Sequence, residues 1–188
     1  MAEGDPRRTW LAFQQLVRAV GWRHPRLAAL GSAALSRRSA PDPLGDMNSA
    51  RAHYEALFAA VIEQLGVLSP NTLTAVVGFS AGGPVSMVQV EGQQAFVTCE
   101  LSMYPEQIPS SEGERYELLC RQPLSERQTQ ELLTGLGALS MEAELGDGHT
   151  IDVSAFEVEP SLAVVKLRHF SSAVVNGERC GIYEVIPG

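Results

Sequence analysis

The stretch that most constrains this chain runs from Ala95 to Arg121. Residues 95–102 and 115–121 are rich in β-branched and aromatic side chains, which favour strands. Between them, residues 103–114 contain Pro105, Pro109 and Gly113, which are typical of a loop. The stretch therefore predicts two strands that are joined by a loop interrupted by proline.

Two other segments have the apolar periodicity of amphipathic helices. The first has apolar residues at helical spacing between Tyr54 and Leu65, and the second contains Leu132, Leu133 and Leu136. Ser125 followed by Gln128 has the pattern of a capping box. The predicted terminal residues are Asn48 or Ser49 and Gly66 for the first helix, and Ser125 and Gly135 or Gly137 for the second.

The remaining segments read mainly as strands connected by hairpin turns. Asp147-Gly148 and Asn176-Gly177 are the strongest turn signals. Further strands are predicted at residues 73–79, 85–90, 139–145, 150–156, 162–170, 172–175 and 182–186. These elements predict a single globular domain of the α+β class, with a largely antiparallel or mixed sheet and helices packed on one face of it.

The charge pattern separates the first part of the chain from the rest. Residues 1–45 carry seven Arg against Glu3, Asp5 and Asp42, a net charge of +4. Residues 46–188 carry seven Lys or Arg against nineteen Asp or Glu, a net charge of −12. We therefore interpret residues 1–46 as a basic extension or linker and residues 47–188 as the domain. Three explanations of the extension stay open: disorder, an amphipathic anchor or partner helix, and a gene start upstream of the true one at Met47.

Composition argues against several classes of function. No apolar run approaches the ~20 residues that span a bilayer, and no secretory signal is visible. An acidic domain is repelled by nucleic acid and by anionic membranes. The acidity can attract a basic protein partner, or it can simply keep a cytosolic protein soluble. Cys99 and Cys120 lie among apolar residues and are predicted to be buried free thiols. Together with Cys180 they are odd in number and lack the spacing of metal ligands or of a redox pair, which fits a reducing cytoplasm. Asp147-Gly148 reads as a hairpin tip rather than part of a metal site, so no metal or cofactor is predicted.

Gly78-Phe79-Ser80-Ala81-Gly82 matches the nucleophile elbow of serine hydrolases. Asp152 and His169 follow in the order that such enzymes use. However, an elbow leads directly into a helix, whereas Gly83-Pro84 and a predicted strand follow here. A hydrolase that uses Ser80, Asp152 and His169 is therefore the alternative hypothesis, and the main expectation is that the protein is not an enzyme.

Three sequence segments resemble the Suppressor-of-fused (SUFU) family in its short bacterial form. They are the helix segment His53–Phe58, the strand Phe96–Ser102 with Tyr104-Pro105-Glu106 after it, and the strand Arg115–Cys120 with Pro123-Leu124 after it. The resemblance covers roughly residues 47–140 and leaves the last third unassigned. It implies an α+β protein-binding module without catalytic machinery. Animal members restrain a transcription factor, and bacterial members include immunity proteins that neutralise a toxin.

The predicted function is therefore a cytoplasmic protein-interaction domain, an immunity or regulatory protein with a basic, toxin-like partner. Recognition is expected in the loop from Met103 to Glu114, because loops on a rigid sheet often carry binding residues. Tyr104 is the candidate anchor, and the candidate charged contacts are Glu106, Glu112 and Glu114. Glu117, in the family-like strand, is interpreted first as a structural residue that faces solvent or a cross-strand partner, and second as a binding residue. A third hypothesis is a subunit whose sheet edge pairs in a homodimer.

Overall fold

A computed structural model describes residues 43–73, 79, 83–156, 162–175 and 177–188. Most of the predicted extension and of the strand predicted at residues 73–79 therefore lies outside the described residues. The elements in chain order are α1 (Pro43–Leu65), β1 (Leu68–Leu73), β2 (Met87–Val90), β3 (Phe96–Thr98), a 3₁₀ turn (Leu101–Met103), β4 (Arg115–Cys120), α2 (Glu126–Ser140), β5 (Thr150–Asp152), β6 (Val164–Val175) and β7 (Glu178–Pro187).

Within these ranges the strands form a seven-stranded sheet in the order β1-β2-β3-β4-β7-β6-β5. The central pair, β4 and β7, is parallel. Every other neighbouring pair is antiparallel. The predicted α+β class with a largely antiparallel, mixed sheet is confirmed.

The two helices cover opposite faces of the sheet, so the expectation that they share one face is wrong. In β4, Leu118 and Cys120 belong to the core cluster that contains Leu132 and Leu136 of α2. The intervening Leu119 belongs to the cluster that contains apolar residues of α1. A strand with apolar residues on both faces must be covered on both sides of the sheet. The consecutive apolar residues of β4 therefore indicate that both of its faces are buried.

The first helix starts earlier than its polar residues suggest. It begins at Pro43, so Asn48 and Ser49 lie inside the helix rather than at its cap. Proline suits a first helical turn because its missing N–H has no partner to lose there. The predicted end is confirmed, since Gly66 follows the last helical residue with a φ of 110°.

The second helix has the predicted capping box at Ser125 and Gln128 but continues through both glycines to Ser140. The glycines make room for aromatic packing: a Cβ on Gly135 would lie 2.5 Å from the Phe156 ring, and one on Gly137 would lie 2.8 Å from Leu101. Tertiary packing therefore explains these glycines, and the prediction that they end the helix is wrong.

The longer α2 changes the segment that follows it. Residues 141–149 form turns instead of the predicted strand at 139–145. Consequently, Asp147-Gly148 does not join two paired strands, and Thr150–Asp152 pairs with β6. The second hairpin prediction is confirmed, because β6 and β7 pair along nearly their whole length around Gly177.

Candidate functional site

Two loops pack against each other beside the β6–β7 hairpin, and together we call them the acidic loop pair (residues 104–114 and 141–149). The backbone N–H of Ile108 donates to the carbonyl of Ser140, at 2.9 Å, just where the second loop begins. Gly146 lies so close to Ser111 that a Cβ there would clash with the serine hydroxyl. The two loops therefore form one continuous surface.

This surface is acidic, although it includes His149, and the guanidinium of Arg115 donates to the carbonyl oxygens of Tyr104 and Pro105 at its base. Glu106, Glu112, Glu142, Glu144 and Asp147 are all exposed. Neither loop contains Lys or Arg. Like charges gathered on one surface give a potential that attracts a positively charged partner from a distance.

Five of the arginines in the described ranges, Arg115 not among them, are engaged with carboxylates. These pairs are Arg51–Glu55 at 2.8 Å, Arg127–Glu131 at 2.8 Å, Arg179–Glu114 at 3.3 Å, Arg121–Glu184 at 2.6 Å and Arg168–Glu184. Each pair neutralises its own neighbourhood. The exposed carboxylates of the acidic loop pair therefore account for much of the excess negative charge of the described surface.

The β6–β7 hairpin braces the first loop. The hydroxyl of Tyr183 donates to Oε2 of Glu112 at 2.5 Å and lies 3.1 Å from Oγ of Ser110. This hydrogen bond lowers the pKa of Glu112, because it stabilises the ionised carboxylate. Burial raises the pKa of Tyr183, so the phenol remains a donor at neutral pH. The loop is thereby fixed in place with its carboxylate charged.

Glu114 and His169 complete the brace. Oε1 of Glu114 lies 3.5 Å from Nε2 of His169, and its carboxylate rests on Gly181, where a Cβ would fall 2.6 Å from that oxygen. The backbone N–H of His169 donates to Oδ1 of Asp147 at 2.7 Å. His169 therefore touches both loops, its ring facing the first and its backbone holding the second.

The structure divides the predicted binding residues into exposed and buried groups. Glu106 and Glu112 are exposed, whereas Glu114 is 6% exposed and Tyr104 is 3% exposed. The ring of Tyr104 packs against Phe79 with 5.6 Å between the centroids, so it belongs to the core. An aromatic anchor at Tyr104 is therefore not available on the surface, and this expectation needs correction.

Glu117 is fully buried, so of the two structural expectations exposure to solvent is wrong and contact with a cross-strand partner is right, since its carboxylate contacts Thr98 of β3. Its carboxylate accepts hydrogen bonds from Oγ1 of Thr98 (2.6 Å), N of Leu101 (3.2 Å), and N and Oγ of Ser102 (2.9 and 2.5 Å). These donors replace the water that a buried carboxylate loses. Glu117 thereby fixes the 3₁₀ turn from which the first acidic loop departs.

Sequence reasoning did not find that His53 joins this buried network. Nε2 of His53 lies 3.3 Å from Oγ of Ser102 and 3.8 Å from Oε1 of Glu117. The hydroxyl of Ser102 donates to Glu117, whereas the direction of its contact with His53 depends on the histidine tautomer. The serine therefore hydrogen-bonds the carboxylate directly, whereas in the relay of a serine hydrolase the histidine lies between the serine and the acid.

Two of the three residues of the alternative hydrolase, Asp152 and His169, are not brought together. Ser80 lies outside the described residues. Asp152 pairs with Val164, and His169 is five positions further along β6, roughly 16 Å away at the strand rise. The carboxylate of Asp152 accepts the N–H of Ser154 at 2.9 Å, which lowers its pKa. Asp152 and His169 therefore form no acid–histidine pair.

Cys99 and Cys120 are confirmed as buried free thiols, and Cys180 is a buried free thiol as well. Burial raises the pKa of Cys99, Cys120 and Cys180, which disfavours the reactive thiolate. Among the residues that the structure describes, no cluster of His, Cys, Asp and Glu has the arrangement of a metal site. In the same ranges, no helix combines the length and apolarity that crossing a bilayer requires.

The site therefore consists of an exposed acidic loop pair, a brace beneath it, and a buried carboxylate network at its base. The resemblance to the SUFU family stays a prediction. No protein-family model matches the chain, and no curated protein is significantly similar to it.

Proposed function

We propose that this chain is a non-catalytic protein-interaction domain that captures a basic protein partner on the acidic loop pair. One observation carries the proposal. Five exposed carboxylates lie on two loops that are packed on each other, braced against the β6–β7 hairpin, and devoid of Lys and Arg. The resemblance to the SUFU family suggests the role of an immunity or regulatory protein, in which the partner is a toxin or another protein to be restrained.

Physical chemistry supports a surface of this kind. Electrostatic complementarity speeds association and suppresses wrong partners. A loop that is already fixed by Glu112–Tyr183 and Glu114–Arg179 contacts loses little conformational freedom when it binds, which favours affinity. The three buried thiols fit a reducing compartment, so we place this function in the cytoplasm.

The test is affinity capture from the native cell with the full chain and two charge-matched variants. The first variant reverses Glu106, Glu142 and Glu144 to Lys, and the second reverses Glu63, Glu91 and Glu178, which are exposed outside the acidic loop pair. Both variants change the net charge equally. We expect one stoichiometric basic partner that the second variant retains and the first loses, and that dissociates as salt concentration rises.

Two results would contradict the proposal. Equal loss of the partner in both variants would show that net charge, rather than this surface, governs binding. Stoichiometric labelling by a fluorophosphonate probe that disappears in Ser80→Ala would establish the alternative hydrolase instead.

A further inference from the structure

The buried carboxylates of the described chain differ in how closely their donors approach. Glu117 accepts four hydrogen bonds at 2.5–3.2 Å, Glu184 has a guanidinium nitrogen at 2.6 Å, and Glu100 accepts a backbone N–H at 2.8 Å. Glu114 is buried to a similar degree, at 6% exposed, yet its closest donor lies at 3.3 Å. A buried carboxylate needs close donors to replace the water that it has lost. Among these acids, Glu114 is therefore the one whose donors are most distant.

Three side chains of the β6–β7 hairpin surround the carboxylate of Glu114. Oε1 lies 3.4 Å from the hydroxyl of Tyr183 and 3.5 Å from Nε2 of His169. The Tyr183 hydroxyl has a single proton, which it donates to Glu112 at 2.5 Å, so it is a poor donor for Glu114. Oε2 lies 3.3 Å from Nε of Arg179, beyond the roughly 2.7–3.2 Å of an ordinary N–H···O bond. Within the described chain, Oε2 of Glu114 therefore lacks a close donor.

Arg179 shows which chemical group this position accepts. Its Nη2 donates to Oγ of Ser172 at 3.1 Å, while its Nε faces Oε2 of Glu114. We call these two acceptors the guanidinium site (Oε2 of Glu114 and Oγ of Ser172). The Arg179 side chain is 68% exposed, and an ion pair with such an exposed member contributes little stability because water screens it. Arg179 therefore occupies the site weakly and within reach of solvent.

We propose that Glu114 is the specificity-determining residue of the acidic loop pair, and that it binds an arginine side chain of the basic partner in place of Arg179. This inference rests on the proposed function, since it names the group that the partner inserts. A guanidinium and a carboxylate form two parallel hydrogen bonds, which the ammonium group of lysine cannot match. A close pair that the interface shields from water is stronger than the exposed pair that it replaces. In the free protein, Arg179 therefore competes with the partner for Glu114.

Replacement of Arg179 leaves the rest of the first loop fixed. The hydroxyl of Tyr183 still donates to Glu112, and the backbone N–H of Ser110 still donates to the carbonyl of Glu114 at 2.8 Å. Neither of these hydrogen bonds involves the guanidinium of Arg179. The exposed acids of the acidic loop pair therefore attract the partner from a distance, and Glu114 then distinguishes arginine from lysine at close range.

Isothermal titration of the full chain with the captured partner tests the role of Glu114. We expect Glu114→Gln to weaken binding at least about thirtyfold, because loss of one member of a close interfacial ion pair leaves the other buried without its partner. Glu144→Gln removes the same charge from an exposed position, and it should weaken binding less than about fivefold. Circular dichroism checks that both variants are folded. Equal weakening by the two substitutions overturns this inference and leaves the proposed function standing.

Arg179→Gln should change the affinity in the opposite direction. Without the competing guanidinium, Glu114 is free to accept the arginine of the partner, so binding should tighten severalfold. Arg127→Gln is the matched control, because Arg127 is also an exposed arginine paired with a carboxylate, and its loss changes the net charge equally. Weaker binding by Arg179→Gln, or equal tightening by both substitutions, contradicts the competition between Arg179 and the partner.

A titration with hexaarginine and hexalysine peptides tests the site without the partner. The carboxyl carbon of Glu114 and the Nε–H group of Arg179 are followed by NMR in the full chain. We expect hexaarginine to shift both signals saturably, whereas hexalysine, which has the same charge, shifts only the exposed acids. If no basic partner is captured, the proposed function fails and this titration alone decides the inference. Absence of a saturable shift at Glu114, or equal shifts with the two peptides, overturns it.

Discussion

Glu106 and Glu117 lie in the same stretch of sequence and carry the same carboxylate, yet the structure uses them in opposite ways. Glu117 is fully buried and accepts hydrogen bonds from Thr98, Leu101 and Ser102. Glu106 is exposed on the acidic loop pair. The difference teaches that the hydrogen-bond donors around a carboxylate decide whether it is buried as a structural residue or exposed on the surface.

The comparison extends to other acids of the domain. Glu184 is 3% exposed and lies between the guanidinium groups of Arg121 and Arg168. Glu142 and Glu144 are exposed, as Glu106 is. Removing a buried acid leaves its donors unsatisfied, whereas removing an exposed acid leaves water in its place. The two groups should therefore respond to substitution on different scales.

The largest effect is expected from Glu117→Ala. The substitution leaves two backbone N–H groups and two hydroxyls without their acceptor in the core, which we expect to cost about 3–5 kcal/mol of unfolding free energy. Urea unfolding followed by circular dichroism measures it. Glu106→Ala is the control, and equal destabilisation by the two substitutions would erase the distinction between scaffold and surface acids.

A smaller loss is expected from Gly181→Ala. The added Cβ would lie 2.6 Å from Oε1 of Glu114 and 2.7 Å from Tyr183, so Glu114 must leave its buried place. We expect a loss of about 1–3 kcal/mol, as in other overpacked sites, together with faster amide exchange in residues 110–114. Gly92 has a positive φ and no close neighbour. Gly92→Ala is therefore the control for the exchange measurement, because it should leave residues 110–114 unchanged even if its own strain lowers stability. Unchanged exchange in the loop would show that Glu114 does not brace it.

Glu100→Gln tests a second buried acid, whose ionised form we expect to destabilise the fold. Burial raises the pKa of Glu100, whose carboxylate accepts the N–H of Ser86 at 2.8 Å. A folded-state pKa above the unfolded value means that the ionised group destabilises the fold at neutral pH, and that this penalty fades as pH falls through the raised pKa. We expect the glutamine variant, which keeps an acceptor for Ser86, to be slightly more stable at neutral pH and equal to the wild type in acid. Urea titrations at both pH values measure this, and a loss at neutral pH would contradict the sign.

The smallest effect on stability is expected for Glu142→Gln with Glu144→Gln. Both side chains are exposed, so the change in unfolding free energy should stay within about 0.5 kcal/mol. Affinity for a basic partner should nevertheless fall, and the salt dependence of binding should become shallower. Isothermal titration with the captured partner at two salt concentrations checks both statements. A marked loss of stability would contradict the prediction and show that Glu142 and Glu144 support the fold, as Glu117 does.

Local signals were sufficient for much of the fold. The capping box at Ser125, the turn at Gly177 and the strand at Arg115–Cys120 each depend on neighbouring residues, and each is confirmed. The end of α2 could not be predicted in this way. Gly135 and Gly137 look like helix stops until Phe156 and Leu101 are known to pack against them.

The candidate site was predicted only in part for the same reason. The loop and its exposed Glu106 and Glu112 follow from proline content and charge. The second acidic loop was missed because residues 139–145 were interpreted as a strand, and because its contact with Ile108 joins distant segments. The burial of Tyr104 depends on Phe79, and sequence spacing gives no indication of that contact.

The parallel pairing of β4 with β7 has a consequence for how the molecule assembles. These two strands are central in the sheet, but they are far apart in the chain, and the pairing of distant segments slows folding. During synthesis, β1 to β4 leave the ribosome well before residues 178–187. The edge of β4 that pairs with β7 therefore stays unpaired until those residues are made. The tyrosine that braces the first acidic loop arrives with that late strand. A nascent chain therefore completes the brace of the acidic loop pair only when the sheet itself is complete, and the proposed binding of a partner there would have to wait until then.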